Sequence, residues 1–439
     1  MTAEIVIMNK SAVALAADSA VTSGSKIYSS VNKLFALSKT QPVGVMFYNY
    51  ADFLGVPWES IIKIYRDIAI NESFATLKEY FDHFLLYLRN AEDLFNRQQQ
   101  QDYVDSAVRS YFELIKGDIN EEVKKVFDTQ NKISQTEINK LVEQIVAEHH
   151  QEWKSFDFVP DWSPFHLEDF IWQQEDNLDA LLKEVLGNHS LSLKTLSQLK
   201  EIAGMLFAKN YFGSAYTGVV IAGFGEKETF PSLCSCMIEG LIDHKLKLRI
   251  TQCSQISPQN RVTLVPFAQG EMVGTFMEGI EPTLREDIYD YVTEVFEEYP
   301  EIVVSKIDGL PDSAKSDILT ELRKAGAEVS TRFIQRVGQV LRERYINPVI
   351  QATAVLPKDE LASMAESLVN LTSIKRKFTL DAETVGGPVD VAVISKGDGF
   401  VWVKRKSYFE PHLNLRHYST YFSDILTKWS NQNERTKYD

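Results

Sequence analysis

"MTAEIVIMNKSAVALAADSAVTSG", residues 1–24, carries two short apolar runs, 3–8 and 12–17, separated by Asn9-Lys10-Ser11. The runs read as two well-buried strands and the polar triplet as the hairpin turn between them. A lone Asp18 follows among small residues. Thr2 stands ahead of the first strand, and a small second side chain permits removal of Met1. The exposed residue would then carry both a hydroxyl and a free α-amine, the pairing needed by a self-activating nucleophile.

Strand signals continue outward from this hairpin at 27–31, 34–37 and 43–47, so five short β segments precede the first helix. Pro57 announces that helix at a first-turn position, where its missing N–H costs nothing. From about residue 60 to 210 the pattern is mostly helical. Ile138, Leu141, Val142, Ile145 and Val146 there share one helix face, a spacing that marks core. Strands resume with an apolar run ending in Gly223 and Gly225, a second after Pro231, and further ones at 246–253 and 261–266. A second helical block spans 270–351, with breaks expected at Pro282, Pro300 and Pro311. An amphipathic helix at 361–374 then leads to "VDVAVISKGDGFVWVKRK" (389–406), a hairpin turning at Lys396-Gly397-Asp398-Gly399, and a short helix is expected near 421–429. Both strand sets are too apolar to face water on one side. They predict an α+β protein in which two sheets pack together under helices.

A formal net charge of −15, with no basic tract, argues against nucleic acid or an anionic membrane as the main partner. No apolar run approaches the roughly 20 residues that cross a bilayer. The three cysteines, Cys234, Cys236 and Cys253, form no metal-binding or disulfide pattern, which fits a reducing, cytoplasmic setting. His149 and His150 are adjacent, so they point in different directions and make no i, i+4 metal pair. "GFGEKE" (223–228) lacks the Lys-Ser/Thr continuation of a phosphate loop. No cofactor is expected.

Three separated stretches, in order, carry a family likeness. "LAADSAVTSGSKIYSSVNKLFAL" (15–37) resembles the signature of proteasome β-subunits and their bacterial relatives, with Thr2 where that family has its mature N-terminal threonine. "VVIAGFGEKETFPSLCSCMIEG" (219–240) and "DAETVGGPVDVAVISKGDGFVWV" (381–403) are similar to the family's later strand–turn–strand segment and closing hairpin. The resemblance implies an N-terminal nucleophile (Ntn) hydrolase fold, a four-layer αββα sandwich with two helical insertions. Residues 1–75, 195–275 and 355–405 would form the core. The insertions would be 76–194 and 276–354, with 406–439 as a C-terminal extension.

The resemblance also implies roles. Thr2 would attack a carbonyl, its α-amine taking the proton. Lys33 would favour the neutral amine, and Asp18 would hold Lys33 charged and oriented. Asp381 would support the amine, with Thr384 or Val385 where a hydroxyl partner is usual. Two stretches depart from the family. "GVMFYNYAD" (44–52) puts Tyr48 and Asn49 in place of a Gly-Gly pair, so the Tyr48 backbone N–H becomes the expected oxyanion donor and Asn49 adds a side-chain donor or packs. "FAQGEMVG" (267–274) has Gln269 and Glu271 where the family has an amine-contacting serine. A threonine peptidase acting on peptide or unfolded protein is the leading expectation. A hydrolase of small amides and a non-catalytic scaffold are the alternatives. Family members stack into rings, which implies a homo-oligomer, and energy-dependent unfolding would need a separate ATPase partner.

Overall fold

The computed structural model describes residues 3–23, 26–28, 30–162, 165–187, 191–309, 311–379, 385–407 and 413–414. Its strands are β1 (Ala3–Asn9), β2 (Val13–Ala17), β3 (Val21–Ser23), β4 (Lys26–Tyr28), β5 (Leu34–Ala36), β6 (Val43–Asn49), β7 (Asp52–Phe53), β8 (Val56–Pro57), β9 (Thr217–Gly223), β10 (Ser232–Ile242), β11 (Lys245–Gln255), β12 (Val262–Ala268), β13 (Asp390–Ser395) and β14 (Gly399–Lys404). Its helices are α1 (Trp58–Ile68), α2 (Leu77–Asn90), α3 (Arg97–Gln130), α4 (Gln135–Ser155), α5 (Leu167–Gln173), α6 (Glu175–Leu186), α7 (Leu193–Ala208), α8 (Glu271–Glu278), α9 (Pro282–Ser305), α10 (Asp312–Leu341), α11 (Asn347–Thr353) and α12 (Lys358–Phe378). The fold is α+β. Two five-stranded sheets run in the orders β12-β1-β2-β13-β14 and β11-β10-β9-β6-β5, every pairing antiparallel.

Strand alternation distributes the core. Ile5 and Ile7 of β1 pack with Leu361, Ala365 and Val369 of α12. Val6 and Met8, one residue out of phase, pack with Met46, Val220 and Ala222 of the other sheet. On that second sheet Val45, Phe47 and Ile221 face Trp58, Ile61, Ile62 and Tyr65 of α1 and Phe81, Phe84 and Leu88 of α2. Trp58, Ile61, Ile62 and Tyr65 are spaced i, i+3, i+4, i+7, which lays one helix face on the sheet. The Trp58 indole N–H also donates to Thr217 Oγ1 at 3.0 Å.

The first hairpin turns where the sequence predicts. Asn9 Oδ1 accepts from the Ser11 and Ala12 N–H groups at 2.9 and 3.2 Å, an Asx turn, while its Nδ2 donates to the carbonyls of Thr353 and Leu356. The same side chain thus shapes the turn and ties it to the entrance of α12.

Several expectations need correction. The strand expected at 27–31 ends at Tyr28, because the Val31 N–H bonds the Ser19 carbonyl at 3.2 Å instead of extending a ladder. β11 is longer than the 246–253 expected and is joined to β10 by Asp243 and His244 with φ of 45° and 63°, a two-residue left-handed turn with no glycine to signal it. Pro300 does not break the second helical block and lies inside α9. Having no N–H, it leaves the Phe296 carbonyl without its helical donor. That carbonyl lies against Gly326 of α10, where a Cβ would be only 2.7 Å from its oxygen. Helices α3 to α7 share a core built on Phe112, Val146, Trp153, Leu178 and Leu199, separate from that of the sheets. Of the helices that flank this block, α2 packs in the sheet core and α7 in the helical one. The helix expected near 421–429 lies outside the described residues. Among the described residues no helix is long and apolar enough to cross a membrane.

The "GFG" of 223–225 has a structural cause. A Cβ on Gly225 would come within 2.3 Å of Thr76 Cα and 2.4 Å of the Ala75 oxygen, both backbone atoms at the start of α2. Gly225→Ala is therefore expected to destabilise the chain by about 1–3 kcal/mol, read as a lower denaturant midpoint with unchanged slope. An unchanged midpoint would show that this contact relaxes freely.

Candidate active site

Asp18 follows β2 and Lys33 precedes β5, so the two residues end strands in different sheets. They meet in the interior. Lys33 Nζ lies 2.6 Å from Asp18 Oδ1 and 2.5 Å from the Ala20 carbonyl oxygen, and the two side chains are 2% and 1% exposed. Lys33 is fixed from the backbone side as well, its carbonyl accepting the Phe47 N–H at 3.1 Å.

The Asp18 carboxylate collects four donors. Oδ1 accepts from Lys33 and, at 3.2 Å, from the Ala3 N–H; Oδ2 accepts from the N–H groups of Gly386 at 3.0 Å and Ala20 at 3.4 Å. The Asp18 N–H in turn donates to the Ala3 carbonyl at 3.1 Å. A buried ion pair of this kind survives only when its remaining lone pairs and protons are satisfied, since each ion gives up its hydration. The Ala3 amide is the one that follows Thr2, so the carboxylate that orients Lys33 also anchors the chain next to the predicted nucleophile. Ser19 completes the junction: its N–H donates to the Gly386 carbonyl and its hydroxyl to that of Pro388. Residues 18, 33 and 386, drawn from the first and the third of the resemblance-bearing stretches, are thereby brought together. Thr2, Asp381 and Thr384 lie outside the described residues. Val385 is buried among Val389, Val391 and α12, a packing position.

The departures at 48 and 49 have distinct geometries. The Tyr48 ring is 8% exposed and packs between Phe267 and Tyr216, at centroid distances of 5.7 and 6.4 Å. Burial pushes its phenol up from the ordinary tyrosine range, and neighbouring Tyr216 and Glu4 add to this. The ring fits because the residue opposite is Gly218; a Cβ there would lie 1.9 Å from the Tyr48 Cζ. The Phe47 N–H donates to the Lys33 carbonyl at 3.1 Å, and Tyr48 and Asn49 pair with Gly218 and Thr217 of β9. The Asn49 side chain is occupied elsewhere: Nδ2 donates to the carbonyls of Ser214 and Tyr216 at 2.9 and 2.8 Å, holding a backbone with φ of 76°.

In the second departure, Gln269 and Glu271 face α12. Arg376 Nε donates to Gln269 Oε1 at 2.5 Å and its Nη2 to Glu271 Oε1 at 3.1 Å, while Lys375 Nζ reaches Glu271 Oε2 at 3.2 Å. This stretch fastens the end of β12 to the last turn of α12, from which the chain runs on to Asp381.

Sequence reading missed Glu4. It is 2% exposed, and neither carboxyl oxygen has a hydrogen-bond partner among the described residues. Burial raises its pKa well above the carboxylate range; Lys33 opposes that shift and Asp18 adds to it. The only signal was a single glutamate inside an otherwise apolar strand. His149 and His150 diverge as expected, with Nε2 atoms directed to Asp118 Oδ2 and Glu201 Oε2 respectively. Among the described residues no group of three potential ligands could hold a metal.

Asp18 and Lys33 should behave as a unit. Asp18→Asn or Lys33→Met alone leaves one buried charge unanswered and is expected to cost about 3–5 kcal/mol, whereas the double replacement costs less than the sum. Strict additivity in a denaturation double-mutant cycle would show that the contact carries no coupling.

Comparison of the chain with protein-family models and with curated proteins gives no match, so the site is interpreted from its own geometry.

Proposed function

We propose that this chain is an N-terminal threonine hydrolase of proteasome-like type that cleaves peptide bonds, with Thr2 as its nucleophile. The supporting observation is one carboxylate oxygen, Asp18 Oδ1, which receives both the Lys33 ammonium and the amide following Thr2. That link ties the cation to the backbone amide adjoining the residue that the reaction needs. The arrangement of sheets and helices fits the same reading, with α1 and α2, the two sheets, and α8 and α12 as the four layers of an Ntn sandwich and α3–α7 and α9–α11 as insertions.

With the residue ahead of Thr2 removed, its α-amine is a base with a reference pKa of about 7.7–8.0, and the nearby ammonium favours its neutral form. Thr2 Oγ attacks the carbonyl carbon and passes its proton to the amine. The carbonyl electrons move to oxygen, and the oxyanion is met by the Tyr48 N–H. Collapse expels the leaving amine, which takes the proton from the ammonium, and leaves an ester on Thr2. Water, deprotonated by the same amine, attacks that ester, and the ammonium returns the proton to Thr2 Oγ as the acid is released.

The small-amide alternative rests on Tyr48 and the inserted helices closing the cleft, and the packing of the Tyr48 ring over Gly218 weakens the first of these grounds. A ring-shaped homo-oligomer and an ATPase partner belong to this proposal as consequences of the family likeness.

N-terminal sequencing of the purified chain should begin at Thr2, and Thr2→Ala should lower hydrolysis of an unfolded protein on the order of 10⁴-fold or more. Retention of Met1 with undiminished cleavage would end the proposal, and cleavage confined to small amides would replace the substrate class.

A further inference from the structure

All three cysteines lie on the β10–β11 hairpin. Their spacing along the chain pairs none of them, but the ladder sets Cys234 directly opposite Cys253. The kind of pair follows from hydrogen bonds at the strand ends. The Ile256 N–H donates to the Pro231 carbonyl at 3.0 Å, one step beyond the Ser232–Gln255 partners, so that outer pair is hydrogen-bonded. Antiparallel pairs alternate, and no register shift intervenes before Ser235, so Cys234–Cys253, three steps in, is a non-hydrogen-bonded pair. The other side of β10 agrees. The Phe224 N–H donates to the Pro42 carbonyl at 3.0 Å, and alternation from there through Val45–Ile221 commits the backbone of Cys234 to Ile221 of β9. In a non-hydrogen-bonded pair the Cα atoms approach to about 4.5 Å with both side chains on one face, and a disulfide spans about 4.4–6.8 Å between Cα atoms. The two thiols are thus placed for a bond.

Their exposure differs. Cys234 is 3% exposed and packs with Cys236 and Ile238 in the core under α1 and α2, whereas Cys253 is exposed on the edge strand. Cys236 stands opposite Ile250 across a register shift, so it has no cysteine partner in the ladder. Burial pushes the Cys234 thiol up from the ordinary cysteine range, and Cys253 beside it adds to this. A thiol held protonated in the interior is a slow first nucleophile, whereas the exposed one meets solutes. We propose that Cys234 and Cys253 are a reversible redox site, oxidised to a cross-strand disulfide by small-molecule disulfides, with Cys253 as the attacking thiol and Cys234 as the resolving one. The Cys253 thiolate attacks one sulfur of the small disulfide; that S–S bond breaks, and the second sulfur leaves as a thiolate that takes up a proton. Cys234 Sγ then attacks Cys253 Sγ, forming the protein S–S bond and expelling the other small thiolate, which receives the Cys234 proton. Two protein thiols have given up two electrons, and one small disulfide has become two thiols. The bond staples β11, the edge of its sheet, to its inner neighbour β10. Nothing in this step requires the hydrolase reading.

The test adds oxidised glutathione to the native full-length chain, caps the remaining thiols with N-ethylmaleimide and reads the digest by mass spectrometry. Wild type should give a peptide pair linked through Cys234 and Cys253, with maleimide on Cys236 and no glutathione retained. Glutathione kept on Cys253 of wild type, a link through Cys236, or three capped thiols would each overturn the proposal. Cys234→Ser should instead hold glutathione on Cys253, because the resolving sulfur is gone; a variant that takes up none would refute Cys253 as the attacking thiol. Cys236→Ser should link as wild type does, and loss of the link there would make Cys236 the resolving thiol. Stoichiometry supplies a readout independent of any substitution. At fixed oxidised glutathione, a tenfold rise in reduced glutathione should lower the ratio of linked to reduced chain about a hundredfold, since two small thiols are released per bond. A tenfold drop would mark a mixed disulfide and exclude the cross-strand bond.

Discussion

Asp18 is the constraint on which the interior depends. Its carboxylate has surrendered water and recovered the loss through four donors, one from the start of β1, one from its own turn, one from Lys33 and one from Gly386. None of these can be withdrawn cheaply, because a buried ion short of a partner bears the full cost of desolvation. Asp18 belongs to one sheet and Lys33 leads into the other, so the pair also acts as a clamp between them. A fold that satisfies this carboxylate has already set the register of the first hairpin, the approach of the sheets and the path of the chain after α12.

Bulky and charged residues near this clamp are accommodated locally. The volume of the Tyr48 ring is matched across the ladder by Gly218. Gln269 and Glu271 share a cationic partner in Arg376. Volume in the one case and charge pairing in the other keep the interior dense around the ion pair. The helices from α3 to α7 carry a core of their own, which separates their stability from that of the sheets.

Glu4 is buried on β1, and its carboxyl oxygens have no hydrogen-bond partner among the described residues. A polar group so placed costs stability that an apolar side chain on the same strand would not.

The residues alone determined much of this protein. Apolar runs of strand length fixed β1, β2, β6, β9 and β13, the Asn9 turn signal fixed the first hairpin, and ordered motifs singled out Asp18 and Lys33 as partners. These signals are local, or repeat with the strand and helix periods, and so can be read along a chain. What the sequence could not determine depends on atoms from distant segments. Pro300 stays inside α9, and Gly326 lets α10 approach the Phe296 carbonyl that it frees; α2 joins the sheet core and α7 the helical one; the Tyr48 ring finds its room over Gly218; and Glu4 has no hydrogen-bond partner among the described residues. Tertiary structure decided these because hydrogen-bond satisfaction and free volume are properties of a packed neighbourhood, and no residue carries its neighbourhood in its own side chain.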